Sequence, residues 1–112
     1  MHAPEQEVAK YRGKYDQGYA PIREARYRQA IDKGVIESKW EMSKGDVDWE
    51  SFPNKEWDAR CMEVYAAMVD RMDQGIGRIT AELQKANALD NTLVIYLQDN
   101  GGCSEGYGRE DN

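Results

Sequence analysis

The stretch Thr92 to Gly102, TLVIYLQDNGG, decides how this chain reads, because an unbroken apolar run ends there in an acid, an amide and two glycines. Thr92, Leu93, Val94, Ile95, Tyr96 and Leu97 show no polar alternation, which is the pattern of a strand with both faces covered, as in a parallel sheet. In open α/β sheets ligands sit beyond the carboxyl ends of the strands, and Asp99 and Asn100 fall there. A carboxylate beside an amide carbonyl offers hard oxygen ligands, while Gly101 and Gly102 permit backbone conformations and close approaches closed to larger residues. The pair therefore reads as part of a metal site. Asp-Asn-Gly is also an ordinary turn sequence, since Asn and Gly tolerate positive φ. The position after a covered strand, itself preceded by a long helix, favours the metal reading.

That helix is announced by Asn54 as a cap and by Tyr65, Met68, Met72, Ile76, Ile79 and Leu83, whose alternating spacing forms one stripe expected to be buried. Met62, Met68 and Met72 read as core packing for the same reason. Gly75 and Gly77 weaken a helix interior, and so point to close packing or a local distortion. Arg60, Asp70, Arg71, Asp73 and Arg78 read as a solvated face with local pairs. Leu89, Asp90 and Asn91 then turn the chain into the strand.

Upstream, the chain divides into residues 1–36 and an irregular insertion at 37–53. The first segment begins extended around Ala3 and Pro4 and becomes helical over PIREARYRQAIDKG, with Pro21 in a first turn and Gly34 at C′. Ile22, Tyr27, Ala30 and Ile31 form its inward face. Tyr11, Tyr15 and Tyr19 recur every fourth residue, a spacing that suggests one helical face, although Gly13 and Gly18 oppose it. Their simplest role is packing of a surface segment. In the insertion, Trp40, Trp49 and Phe52 stand among polar residues and are expected to pin the loop to its own domain.

With 112 residues the chain suffices for one small domain or a piece of one, and a formal charge of −6 disfavours a nucleic-acid or anionic-membrane partner. No run approaches the roughly 20 apolar residues of a membrane span, and MHAPEQEVAK lacks the regions of a signal peptide. Cys61 and Cys103 have no CxxC spacing, and His2 is the sole histidine, so a structural zinc site is not expected. A helix from Cys61 to residue 88 travels about 40 Å while the strand returns about 20 Å, which favours two unpaired thiols over a disulfide.

The run ARCMEVYAAMVDRMDQGIGRITAELQKANALDNTLVIYLQDNGG, from Ala59 to Gly102, closely resembles the arylsulfatase-type (type I) sulfatases of the alkaline phosphatase superfamily. HAPEQEVAKYRGKYDQGY, from His2 to Tyr19, looks like their segment after a catalytic-histidine motif. The resemblance is most specific over 59–102 and poor in the insertion. It implies a fold, an α/β sandwich with a mixed, mainly parallel central sheet flanked by helices, of which residues 1–112 are a partial catalytic domain. It also implies a chemistry, in which a formylglycine made from Cys or Ser attacks the sulfur of a sulfate ester beside a calcium ion. Asp99 and Asn100 match the family's Asp-Asn calcium ligands, and an all-oxygen site suits that ion.

The departures are equally specific. Formylglycine formation needs Cys/Ser-x-Pro/Ala-x-Arg, whereas the cysteines here read CMEVY and CSEGY, so the nucleophile is expected in an upstream part. The paired aspartates that complete the calcium site and the catalytic lysine motifs are missing too. In the family's HxPLxAP motif the catalytic His precedes the Ala-Pro by five residues, but His2 directly precedes Ala3-Pro4, at a variable position open to substrate contact or to solvent. The expected protein is a calcium-dependent sulfuric ester hydrolase acting on a small-molecule or saccharide sulfate ester, periplasmic or secreted by resemblance, with this portion inactive alone. One alternative is a phosphodiesterase or phosphatase of the same superfamily, in which zinc would favour Asp-His over Asp-Asn. The other is a non-catalytic binding module.

Overall fold

The computed structural model describes residues 2–45 and 48–101. Two compact units divide it, Met1–Ile79 and Thr80–Asn112. In order along the chain come helix α1 (Glu5–Val8), a 3-10 turn (Ala9–Tyr11), helix α2 (Ala20–Asp32), helix α3 (Lys55–Lys85) and a second 3-10 turn (Leu89–Asn91).

Among the described residues there is no strand and no sheet, which overturns the expected α/β sandwich with a mixed, mainly parallel central sheet. Thr92 enters the segment in an extended conformation, φ −122° and ψ 122°, but an extended segment becomes a strand only when a second one lies alongside to exchange N–H and C=O bonds. The described residues form no such ladder. Instead of being covered on both faces, Leu93, Ile95 and Leu97 are 84%, 67% and 74% exposed, and Val94 and Tyr96 also face solvent. An apolar run records what a segment gains by being covered; it does not supply the cover.

In the Met1–Ile79 unit the core is small: among the described residues, Val8, Tyr15, Ala59 and Ala67 are the buried apolar ones. The buried face of α3 is Asp58, Ala59, Glu63 and Ala67. The stripe expected there is turned outward, with Tyr65, Met68, Met72 and Ile79 exposed and Ile76 half-buried. Small side chains let a second segment approach the helix closely, and the segment after Pro4 is polar-backboned and irregular, so it needs hydrogen-bond partners more than apolar ones. Glu63 supplies one, accepting the Gly13 N–H at 2.9 Å while pairing with Arg60. Only 2% of Glu63 remains exposed, so this carboxylate is satisfied from both sides.

The tyrosine spacing does not mark a helical face. Gly13 and Gly18 take φ of 73° and 80°, the left-handed region, and break the segment into successive turns. Tyr15 is nevertheless buried, as packing requires, and the Tyr19 hydroxyl donates to Asp58 on α3. Trp49 stacks on Phe52 with centroids 5.8 Å apart and meets Tyr19 edge-on at 5.3 Å, so these insertion aromatics do pin the loop. A β-carbon at Gly18 would lie 2.4 Å from Cγ of Trp49, which explains glycine there twice over. Trp40 stays 55% exposed, held through its carbonyl by the Tyr27 hydroxyl at 2.5 Å.

Helix α2 starts with Pro21 in its first turn and ends as its sequence implies. Gly34, φ 68°, donates to Ile31 and Val35 donates to Ala30, the paired bonds of a Schellman motif. Its expected inward face, Ile22, Tyr27, Ala30 and Ile31, is half-buried, and no residue of the helix is fully buried. Helix α3 opens with the Asn54 carbonyl accepting from Asp58. In the Thr80–Asn112 unit it closes with a second Schellman motif, in which Asn87, φ 53°, takes the glycine position and Ala88 donates to Leu83. Thr92 then bonds back to the turn, its hydroxyl donating to the Ala88 carbonyl at 2.7 Å.

Candidate functional site

Asp99 and Asn100 follow the apolar segment directly, both exposed. The Asn100 side-chain nitrogen donates to the Gly101 carbonyl at 2.7 Å, so the oxygen end of the amide is the one left for a ligand. Gly101 does not use positive φ and meets nothing within 4 Å where a β-carbon would stand. Its value lies in open space, not in an unusual backbone conformation. Gly102 and Cys103 lie outside the described residues. Nearby, Gln98 donates to the Tyr96 hydroxyl at 2.6 Å, which ties the polar end of the segment to its apolar part.

Among the described residues no group of three or more His, Cys, Asp or Glu side chains is placed to hold a metal ion. The chemistry of the pair still fits one ion class. A carboxylate and an amide carbonyl, adjacent and open, are hard oxygen donors, suited to calcium, which takes about six to eight oxygens, of which two residues supply a minority. His2 belongs to the other unit, exposed on the approach to α1. Cys61 is half-buried on α3.

Among the described residues, Glu7, Lys10, Tyr11 and Asp70 have displaced titration, and they lie in a different place, where the first helix meets the middle of α3. Lys10 bridges Glu7 at 2.5 Å and Asp70 at 3.0 Å, Gln74 donates to both carboxylates, and Arg71 stands 3.7 Å from Glu7. The hydrogen bond from Lys10 holds the Glu7 carboxyl below its ordinary range, and that from Gln74, with Lys10 next, lowers Asp70. Lys10 is raised by the same two carboxylates, Glu7 foremost. Burial, with the Asp70 charge second, pushes the Tyr11 phenol up. Every charge here has a partner, so the cluster is a fastening between segments and not a poised acid or base. Asp70 and Arg71 were expected on a solvated face with local pairs. Both reach the N-terminal segment, because that segment lies along the face they occupy. The Glu-x-x-Lys spacing of Glu7 and Lys10 was the available signal for the near half of this cluster; its far half is fixed by a contact across sixty residues of sequence.

The sulfatase family model matches residues 1–112, the whole chain. An uncharacterised sulfatase of Schizosaccharomyces pombe is 37% identical, over 90% of this chain and 19% of its own length. The arylsulfatase of Klebsiella aerogenes is 33% identical, over 90% of this chain and 23% of its own. An N-acetylglucosamine-6-O-sulfatase of Bacteroides thetaiotaomicron is 32% identical over 79% of the chain and 13% of its own. The chain thus spans about a fifth of the length of the first two relatives. No described helix is long and apolar enough to cross a membrane. On the match across its full length and the identity to these relatives, the chain belongs to the sulfatase family.

Proposed function

We propose that this chain is an internal portion of a calcium-dependent sulfatase that hydrolyses sulfate esters, with Asp99 and Asn100 among the ligands of the ion. The observation that carries the reading is the family match over the whole chain, joined to an Asp-Asn pair that ends the apolar segment with both side chains exposed. When bound, calcium would polarise sulfate oxygens and favour a charged nucleophile. This chain's own contribution is limited to holding oxygen donors at the end of residues 92–98. Asp99 brings a full charge and Asn100 a neutral oxygen, so their losses should differ. The nucleophile is expected to be a formylglycine supplied by another part of the protein, since neither CMEVY nor CSEGY fits the modification pattern. Asn100, where a zinc enzyme would favour His, supports calcium over the related phosphatase chemistry.

The test uses the full-length sulfatase that contains this segment. Asp99→Ala and Asn100→Ala should each weaken calcium binding and sulfate-ester turnover, the aspartate change more. Asn100→Gly separates ligand from turn, because a turn position accepts glycine with little loss. The ligand reading expects this variant to lose calcium affinity by about tenfold or more, the scale of one charge-assisted contact. An Asn100→Gly enzyme with parental calcium affinity and rate would show that the pair is only a turn.

A further inference from the structure

Asparagine occurs five times in the chain, and only Asn100 is followed by glycine. A side-chain amide is open to attack by the backbone nitrogen of the next residue, because the two groups are tethered together and the reaction is intramolecular. A β-carbon on that next residue crowds the nitrogen, and glycine has none. Asn100 and Gly101 are both exposed to water. Nothing lies within 4 Å of the place where a β-carbon would stand at Gly101, so among the described residues no neighbouring segment supplies the crowding that glycine omits. The Asn100 side-chain nitrogen donates to the Gly101 carbonyl at 2.7 Å, which folds the amide toward the residue that carries the attacking nitrogen. Two other asparagines of the same unit differ at that nitrogen. Ala88, after Asn87, donates its N–H to Leu83 at 2.9 Å, and Thr92, after Asn91, donates to Leu89 at 3.1 Å, so both nitrogens are held in turns and both residues bring a β-carbon.

We propose that Asn100 is a site of spontaneous deamidation, which converts it to aspartate and isoaspartate. The Gly101 nitrogen forms a bond to Cγ of Asn100, the Cγ–Nδ2 bond breaks, and the side-chain nitrogen leaves as ammonia with the proton that the backbone N–H gives up. The cyclic succinimide so formed takes up water. Opening between Cγ and nitrogen restores the backbone and leaves aspartate, whereas opening at the backbone carbonyl leaves isoaspartate, with the chain routed through the side-chain carbon. Either product adds a negative charge beside Asp99, and isoaspartate also lengthens the backbone by a methylene. Neither step involves a metal ion, so the site stands apart from the calcium reading.

The test is incubation of the dilute full chain at a fixed, mildly alkaline pH, followed by tryptic digestion and electron-transfer mass spectrometry, which tells isoaspartate from aspartate. Residues 86–109 leave as a single tryptic peptide that carries Asn87, Asn91 and Asn100, so the first two amides are internal controls for the third. Asn100 should deamidate at least about tenfold faster than either, with isoaspartate among its products. Gly101→Ala should slow the reaction by about tenfold; Gly101 does not use positive φ and the added carbon meets no described neighbour, so the substitution acts on the attacking nitrogen and not on the local backbone. Because the site is already open, the rate at Asn100 in the folded chain should lie within about tenfold of its rate in the urea-unfolded chain. Deamidation no faster at Asn100 than at Asn87 or Asn91, aspartate formed without isoaspartate, an alanine variant as fast as the parent, or a folded rate more than about tenfold below the unfolded one would each overturn the assignment.

Discussion

Glu7, Lys10 and Asp70 give the N-terminal segment its hold on α3, and their displaced titration makes that hold dependent on pH. The folded Glu7 and Asp70 carboxyls lie below their ordinary 4.5 and 3.8, so their contribution is present above those values and is lost as pH falls through the lower folded ones. Lys10 lies above its ordinary 10.5, so its contribution is present below that pH and is lost as pH rises through the higher folded value. Between these limits Glu7→Gln should lower the melting temperature of the helical signal by a few degrees. On acidification below about 4.5 the difference between parent and variant should shrink toward zero. A difference that holds constant from neutral to acid pH would mean that the carboxylate charge is not what fastens the segment. At this scale the sequence was legible where a residue answers a local geometric demand. Gly34 at the end of α2 is read from the chain because only a residue tolerant of positive φ closes a Schellman motif. Glu63 was not legible: its partner is the backbone of Gly13, fifty residues away, and an acid in an amphipathic helix reads as solvent-facing.

The elements show the same division. Helix α3 could be predicted from its periodicity, yet periodicity chose the wrong face, because it ranks faces by hydropathy and the face used is the one whose small and hydrogen-bonding side chains admit an irregular segment. The consequence is an outward row of Tyr65, Met68, Met72 and Ile79 on the helix and, separately, an uncovered apolar segment at residues 93–97. Extended apolar backbone without a ladder is a template for pairing with another chain. The isolated chain should therefore self-associate through 93–97. Ile95→Lys places a charge in the middle of that segment, which opposes pairing. Light scattering should show the variant remaining monomeric at concentrations where the parent grows into larger species, with unchanged helical content. Equal growth of parent and variant would locate the association elsewhere, with the row on α3 the next surface to substitute.

At the scale of the whole molecule, family membership was legible because it rests on contiguous motifs, above all the run from Ala59 to Gly102, whereas the sheet read from the apolar run was wrong for the described residues, which form helices, turns and an apolar segment with no ladder. The same separation applies to catalysis. A covalent route through sulfur needs an activated nucleophile, and electrostatic stabilisation by an ion, if held as proposed at Asp99 and Asn100, would add to such a route without replacing it. Neither cysteine stands in a formylglycine pattern, and His2 stands at the exposed start of the first unit. The purified chain should thus leave 4-nitrocatechol sulfate intact, with or without calcium, at the rate of buffer alone. Added calcium should not alter that, because the ion polarises an ester that nothing then attacks. Turnover that copurifies with the chain and disappears on Asp99→Ala would contradict this, since it would require a nucleophile within these residues that the formylglycine pattern does not describe.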